Sequence, residues 1–197
     1  MSFSNVAKNH KTLLLGLALI FSGVLIFLST FFPLAKEEVR YAIDTKKNID
    51  IKPVSTNFGI VIPKIGANAK VIANVNPNNE KEYQLALSTG VAHARGTVFP
   101  GQIGNVFIFA HSAGDMFQAN RYNAVFYLLG KLEKGDEIDL YYDGKKYKYL
   151  VEQTKIVESS ETSYLNGNGK DKTLTLMTCW PAGTTLKRQI LIAQIAS

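Results

Sequence analysis

The sequence predicts a mostly β domain, of the closed or sandwich-like antiparallel class, that follows one N-terminal transmembrane helix. Three observations lead to this prediction. From Asn57 onward the chain contains about seven or eight short strand patterns and two short helical patterns. No long strand-helix-strand unit, the kind that builds a parallel sheet, lies among them. One uncharged run of about 20 residues, Leu13 to Phe32, precedes the strands.

Length and composition set the outer limits. A chain of 197 residues is enough for one domain with a real core and is too short for two full domains. The formal net charge is +6, but no dense basic run suggests a nucleic-acid partner. The single cysteine excludes an internal disulfide and a cysteine-rich zinc site.

The apolar run from Leu13 to Phe32 is long enough to span a membrane. At ~1.5 Å per residue its length matches the ~30 Å hydrocarbon core of a bilayer. Lys8 and Lys11 precede the run, and charges of mixed sign follow it, so the positive-inside bias puts the N-terminus in the cytoplasm. A cleaved signal peptide is the alternative, with Pro33-Leu34-Ala35 as the best cleavage candidate.

These patterns divide the chain into four parts. We predict a cytoplasmic N-terminus over residues 1–11, a transmembrane helix over residues 12–34 and an extracellular stalk over residues 35–55. The remaining part, residues 56–197, is the exported domain. The predicted location is therefore the cell membrane, with a single pass and the domain outside.

The first half of the exported domain contains strands and a capped helix. A strand from Phe58 is interrupted at Pro63, and a second strand ends before the turn Pro77-Asn78-Asn79. Glu80 to Leu87 suits a short helix with Asn79 as its cap. Asn105 to Ala110 is a run of Val, Phe and Ile residues that predicts a fully buried strand ending at His111.

The second half is predicted from turn signals. Arg121 to Leu129 suits a second short helix, closed by Gly130. Asp143-Gly144 joins an alternating strand to a strand from Lys145 to Val157, which is the best hairpin signal in the sequence. Ser159 to Asp171 is polar and glycine-rich and predicts a long loop.

The most informative stretch is TLTLMTCWPAGTTLKR, which starts at Thr173 and holds the only cysteine. Its alternation predicts a strand that stops at Cys179, because Pro181 disfavours an α conformation for Trp180 and a turn follows. The next strand, Leu186 to Ile195, carries Arg188 near its start. If the two strands are neighbours, the thiol and the guanidinium can meet.

At these residues the chain resembles the sortases, the cysteine transpeptidases of bacterial cell surfaces. Their pattern is T-L-x-T-C, with an arginine downstream and a histidine far upstream at a strand end. Here TLMTC supplies Cys179, the next strand supplies Arg188, and GNVFIFAHS supplies His111. The stretch GVAHARGTVFPGQIGNVFIFAHS also resembles the family, and the match runs from roughly Asn57 to the C-terminus. The resemblance implies the closed eight-stranded sortase β-barrel with two short helices.

The resemblance also implies roles for individual residues. Cys179 would form a thioester with the substrate, His111 would act as general acid and base, and Arg188 would bind the developing oxyanion. Thr178 is expected beside the substrate. Trp180 either stacks against substrate or closes the barrel end. His93, in GVAHARGT, is expected to have a structural or peripheral role.

The resemblance further implies the partners. The donor would be a surface protein with an LPxTG-like sorting signal near its C-terminus, and the acceptor an amine of a peptidoglycan precursor or a pilin lysine. No cofactor is implied; calcium activates some relatives, but no carboxylate set here is assigned to it. The short spacing from Cys179 to Arg188 resembles the pilin-polymerising class. The chain nevertheless has no second apolar run at its C-terminus and no Asp-Pro-aromatic lid motif.

Two other functions fit parts of the sequence. One is a cell-wall cysteine hydrolase or L,D-transpeptidase, although the latter usually has a Ser-x-Gly-Cys context and Cys179 follows Thr178. The other is a non-catalytic, membrane-tethered β module in which the cysteine is structural. Activity towards sorting peptides and an amine distinguishes the three readings.

Overall fold

The computed structural model describes residues 13–29, 32, 39, 51–112, 125–167 and 169–196 of the chain. The chain divides into two compact units, Met1–Val39 and Arg40–Ser197. In the first unit residues 13–29 form helix α1, whose apolar side chains are exposed. No helix within the described ranges has both the length and the apolar character needed to cross a membrane. The predicted span over residues 12–34 and the stalk over residues 35–55 fall partly outside those ranges, so both stay predictions.

In the second unit the described residues form eight strands that close into a barrel, in the order β1-β2-β3-β4-β7-β8-β6-β5. This confirms the predicted eight-stranded architecture. The strands are β1 (Phe58–Ile62), β2 (Ala67–Val75), β3 (Val91–Ala94), β4 (Gly104–Phe109), β5 (Glu137–Tyr142), β6 (Lys145–Glu158), β7 (Lys172–Trp180) and β8 (Lys187–Ile195). Strand β7 therefore ends one residue later than predicted.

The barrel interior is filled by alternate residues of neighbouring strands. Leu174 and Leu176 of β7 are fully buried, and they lie opposite Ala193 and Leu191 of β8. Residues directly opposite on an antiparallel pair point to the same face, so each such pair adds one apolar layer to the core. The odd-numbered residues of β7, including Cys179, consequently belong to the other face of the sheet.

The predicted antiparallel arrangement needs a correction, because two of the pairings are parallel. Strand β2 pairs parallel with β3, and β4 pairs parallel with β7. Parallel neighbours need a long crossover connection. The first connection contains helix α2 (Glu80–Leu87), so β2-α2-β3 is a short strand-helix-strand unit that the sequence did not predict. The second contains the β5–β6 hairpin.

The local predictions for α2 and for the hairpin are confirmed. The side chain of Asn79 accepts a hydrogen bond from the Glu82 backbone N–H at 3.3 Å, which caps the first turn of α2. At the hairpin, Asp143 and Gly144 have φ angles of 49° and 73°, the left-handed values that a two-residue type I′ turn requires. Glycine and aspartate tolerate this region better than most residues.

The predicted second helix has a different form in the described residues. Residues 121–124 of the predicted segment lie outside the described part of the chain. Residues 125–128 form a turn, and Leu129–Lys131 form a 3-10 helix. Phe126 and Leu129 are fully buried, so this segment packs against the core although it is not a regular α-helix.

Candidate active site

The parallel pairing of β4 with β7 brings His111 level with Cys179. The ladder runs without a shift from Gly104↔Lys172 to Phe109↔Met177. One further bond, from the Ala110 N–H to the Met177 carbonyl at 3.1 Å, extends it beyond β4. The same offset puts His111, the next residue, beside Cys179 on the neighbouring strand. Adjacent strands lie about 4.8 Å apart, so the two backbones are close.

The antiparallel pairing of β7 with β8 puts Arg188 directly opposite Cys179. Such cross-strand partners have Cβ atoms about 4.5–5.5 Å apart and share one face of the sheet. The three residues that the sequence singled out therefore lie side by side at one rim, in the order His111, Cys179, Arg188. All three are partly exposed, and Cys179 is a free thiol. The sulfur-bearing residue is thus not sealed in the apolar core.

The guanidinium of Arg188 is held by the connection that precedes β8. Its Nη1 donates to the backbone carbonyls of Thr185 at 3.0 Å and Lys187 at 3.1 Å. Two of the five guanidinium N–H donors are used in this way. The arrangement keeps the positive charge at the rim next to Cys179.

The turn between β7 and β8 is tied to the end of β4. Ser112 is buried, and its Oγ accepts a hydrogen bond from the Gly183 N–H at 3.3 Å. The turn itself contains a cis peptide bond between Trp180 and Pro181, and Gly183 has a φ of 76°. Ser112 therefore links the segment that carries His111 to the turn that carries Trp180. Sequence reasoning missed it, and its only signal was its position directly after His111.

Thr178 and Trp180, the two predicted substrate contacts, differ in exposure. Thr178 is 2% exposed, and its hydroxyl donates to the Ala110 carbonyl at 3.0 Å. That bond stabilises the end of the β4–β7 ladder beside His111. Trp180 is 39% exposed, at the last position of β7. Their contact with a substrate stays a prediction for both residues.

A second residue that sequence reasoning missed contacts the histidine. His111 Nε2 lies 3.2 Å from the side-chain oxygen of Gln84 on α2. The two residues are far apart in the sequence, and Gln84 belongs to a helix with no recognisable motif. Only the packing of α2 against the barrel brings the two side chains together.

His93 lies in the interior, as its expected structural role requires. It is 0% exposed, and its ring stacks on Phe99 at a centroid distance of 4.8 Å. Nδ1 accepts from the Asn74 N–H at 3.3 Å, and Nε2 donates to the Val98 carbonyl at 3.1 Å. Burial lowers the pKa of His93, although the bond to Val98 opposes the shift. This histidine is therefore a neutral core residue.

No metal-binding cluster accompanies the site in the described part of the chain, where no group of three or more His, Cys, Asp and Glu side chains converges.

A cavity of about 260 Å³ lies between the β2–α2, β3–β4 and β6–β7 connections, with Arg95, Asn76 and Asn166 in its wall. Its lining does not include His111, Cys179 or Arg188. The cavity therefore lies at the end of the barrel where β4 and β7 begin, and the rim with His111 and Cys179 lies where the two strands end.

Comparisons with known proteins find relatives of this chain. A family model described as the sortase domain matches residues 60–196, which is most of this chain. Sortase D of Bacillus subtilis (strain 168) is 27% identical over an alignment of 170 positions, which covers 80% of this chain and 77% of that protein.

Solved structures show the same barrel. A sortase D5 transpeptidase of Clostridium perfringens has a TM-score of 0.58 and 26% identity, and the match covers 81% of this chain and 89% of that one. Sortase A from Corynebacterium diphtheriae has a TM-score of 0.60 and 23% identity, which shows a likeness of fold alone. That match covers 72% of this chain and 60% of the Corynebacterium chain.

Proposed function

The chain belongs to the sortase family, whose members are cysteine transpeptidases, and we propose that it cleaves an LPxTG-like sorting signal through a thioester on Cys179. The acyl group then passes to an amine of the cell wall or to a pilin lysine. One observation carries the assignment of residues. The β4–β7 and β7–β8 ladders set His111 and Arg188 on either side of a partly exposed Cys179.

The first half of the reaction forms the thioester. The Cys179 thiolate attacks the carbonyl carbon of the scissile peptide bond, so that an S–C bond forms and the carbonyl oxygen takes up negative charge. When the tetrahedral intermediate collapses, the C–N bond breaks and His111 gives its proton to the departing amine. The first product leaves, and the acyl group stays on the sulfur.

The second half resolves the thioester. An incoming amine attacks the thioester carbonyl, a new C–N bond forms, and the S–C bond breaks to regenerate the thiolate. His111 takes the proton that the amine loses, which returns the histidine to its starting state. The cycle balances without a redox partner.

Arg188 is assigned to the oxyanion. A guanidinium stays charged at every pH at which the reaction can run, and its planar fork can bind a backbone and an oxyanion together. Since Nη1 already donates to the carbonyls of Thr185 and Lys187, the donors at Nε and Nη2 are the ones we assign to the substrate. Trp180 is assigned to substrate contact because it is exposed beside Cys179. Thr178 is buried and bonded to Ala110, so we assign it to holding the strand end that carries Cys179, and its expected place beside the substrate stays a prediction.

We assign the N-terminal helix to membrane anchoring, with the N-terminus in the cytoplasm and the barrel outside. The exposed apolar side chains of α1 support this location. The hydroxyls of Ser22 and Ser29 donate to the carbonyls of Leu19 and Ile26 at 2.9 and 2.8 Å, which satisfies both within the helix. Polar groups in a lipid environment need such internal partners.

The decisive experiment traps the thioester. The full chain, purified in a mild detergent, is incubated with a panel of LPxTG-like peptides and analysed by intact-protein mass spectrometry. We expect a mass increase equal to the acyl part of one peptide, located on Cys179, released by hydroxylamine and absent from Cys179→Ala. Adding an amine acceptor should convert the adduct to joined product.

Other outcomes would contradict the proposal. Hydrolysis of the peptides without a joined product, in the presence of both cell-wall and lysine amines, would favour a cysteine hydrolase. A thiol that reacts neither with the peptides nor with iodoacetamide would favour the non-catalytic module.

A further inference from the structure

The contact between Gln84 and His111 is not part of the mechanism above. Gln84 is exposed on α2, and its Oε1 lies 3.2 Å from His111 Nε2. Its position is set by the rest of the helix. The Asn79 cap fixes the start of α2, and Ala86 and Leu87 bury its last turn in the core. The oxygen of Gln84 is therefore presented to the rim by a packed element.

The neighbouring residue on α2 strengthens this attachment. The ring of Tyr83 meets the ring of Phe109 edge to face, at a centroid distance of 6.5 Å. Phe109 is the last residue of β4, two positions before His111. The helix thus contacts the same strand end that carries the histidine, and the two contacts together set the distance between α2 and the imidazole.

We propose that Gln84 is a positioning residue that binds the Nε2–H of His111 and so directs proton exchange to Nδ1. The proposal rests on the function assigned to His111 in the preceding subsection. An amide oxygen only accepts hydrogen bonds, so the nitrogen that faces it must carry a proton. In the neutral ring this leaves Nδ1 as the basic nitrogen, and in the cation Nδ1 holds the proton that is given away.

The proposal defines the proton route in atomic terms. The proton that reaches the departing amine comes from Nδ1 of His111, and the incoming amine returns a proton to the same atom. Nε2 keeps its proton throughout, bonded to Gln84. Fixing the ring in one orientation also reduces the entropy that must be lost to reach the reactive geometry, and this raises the rate.

The bond also favours the protonated ring. A hydrogen bond from a charged donor is stronger than one from a neutral donor, so the amide oxygen stabilises the imidazolium more than the imidazole. Cys179 on β7 lies level with His111, and Arg188 on β8 lies one strand further along the rim. Their effect is present in every Gln84 variant, so differences between variants report the contribution of position 84.

The first test observes the histidine directly. The full chain in detergent, labelled with ¹⁵N-histidine, is titrated by NMR, and His111 is assigned by comparison with His111→Gln. We expect the neutral ring of His111 to carry its proton on Nε2. Gln84→Met, which keeps length and helix propensity but removes the acceptor, should lower the pKa of His111 and mix the two tautomers. Gln84→Glu should raise the pKa by about half a unit to one unit.

A matched control separates the hydrogen bond from net charge. Lys81→Gln lies one turn earlier on α2, is exposed, and changes the net charge by the same amount as Gln84→Glu. It should move the pKa of His111 far less than Gln84→Glu does. Equal shifts in the two variants, or a neutral ring protonated on Nδ1 in the wild type, would overturn the proposal.

The second test measures turnover. Gln84→Met should lower kcat/KM roughly 10-fold through kcat, and Gln84→Glu should restore most of the rate with a pH profile displaced to higher pH. An unchanged kcat and pH profile in both variants would overturn the positioning role. The role of Gln84 and the role of Cys179 are tested by different measurements. If no thioester forms on Cys179, the proposed function fails, whereas the NMR titration still decides whether Gln84 holds the ring.

Discussion

The two histidines of the barrel, His93 and His111, differ in how their ring nitrogens are used. His93 is fully buried on β3, and its nitrogens bond to the backbone of Asn74 and Val98 inside the barrel. His111 is partly exposed just past β4, and its Nε2 bonds to a side chain on another element, Gln84. Burial keeps the imidazole neutral at position 93, whereas at position 111 the imidazole lies partly exposed at the rim, where we propose that it transfers protons.

The environment of His93 explains why it cannot exchange protons during turnover. Asn74 lies at an irregularity of β2 with a φ of 57°, and its N–H is donated to Nδ1. The hydroxyl of Thr97 donates to Ala94 and lies 3.0 Å from Nε2. A second proton on the ring would have to displace the bond from Asn74, in a site that is fully buried. The structure therefore stabilises the neutral form of His93.

The largest expected effect comes from exchanging the two histidines for glutamine, one at a time. His111→Gln should lower kcat/KM roughly 10³-fold, because it removes the proton donor and acceptor, and should leave the melting temperature nearly unchanged. His93→Gln should keep kcat/KM within a few-fold and lower stability by about 1–3 kcal/mol, because buried hydrogen bonds are lost. Peptide ligation kinetics and thermal unfolding measure the two properties. Loss of activity with His93→Gln at full stability would break the comparison.

The next effect concerns the charged neighbour at the rim. Arg188→Lys keeps the charge but loses the Nη1 bonds that hold the side chain and the Nε and Nη2 donors that we assign to the substrate, so it should lower kcat/KM roughly 10²-fold. The control is Lys187→Arg at the adjacent position, where the side chain pairs with Glu158 at 3.0 Å. That variant should stay within about two-fold of the wild type, since an exposed ion pair contributes little. Near-normal rates for Arg188→Lys would remove the guanidinium from the mechanism.

The smallest effect is the pH dependence of stability that His93 produces. Because burial lowers the pKa of His93 in the folded state, the unfolded chain binds more protons once the pH falls below about 6.5. Its contribution to stability is complete above that pH and is lost as the pH falls towards the lower, folded pKa. The loss is at most about 1.4 kcal/mol per pH unit. Denaturant unfolding from pH 7.5 to 5.5 should show a weaker pH dependence in His93→Gln, and equal slopes would refute this account.

Local patterns predicted much of the fold. The capped helix α2 and the Asp143-Gly144 hairpin were both found where the sequence suggested, since capping and turn geometry depend on a few adjacent residues. The pairing of strands was predicted less well. The parallel pairs β2–β3 and β4–β7 depend on how all the strands pack together in the barrel, and no short sequence pattern predicts that arrangement.

The candidate site divides in the same way. His111, Cys179 and Arg188 were identified by residue type and motif, because their chemistry is a property of the side chains. Gln84 and Ser112 were missed, because an ordinary helical glutamine and a serine acquire a role only through what packs beside them. Neither residue can be singled out until the packing around the end of β4 is known.

The positions of most strands and of the capped helix, and the side chains that we propose for acyl transfer, could be predicted from the sequence, since periodicity, turn residues and a lone thiol are local properties. The parallel ladder that aligns His111 with Cys179, and the packing of α2 that brings an amide oxygen to the imidazole, are visible only in the folded chain. A barrel closes only when all eight strands are paired and buried together, so the neighbours of each strand depend on the whole domain and not on the local sequence.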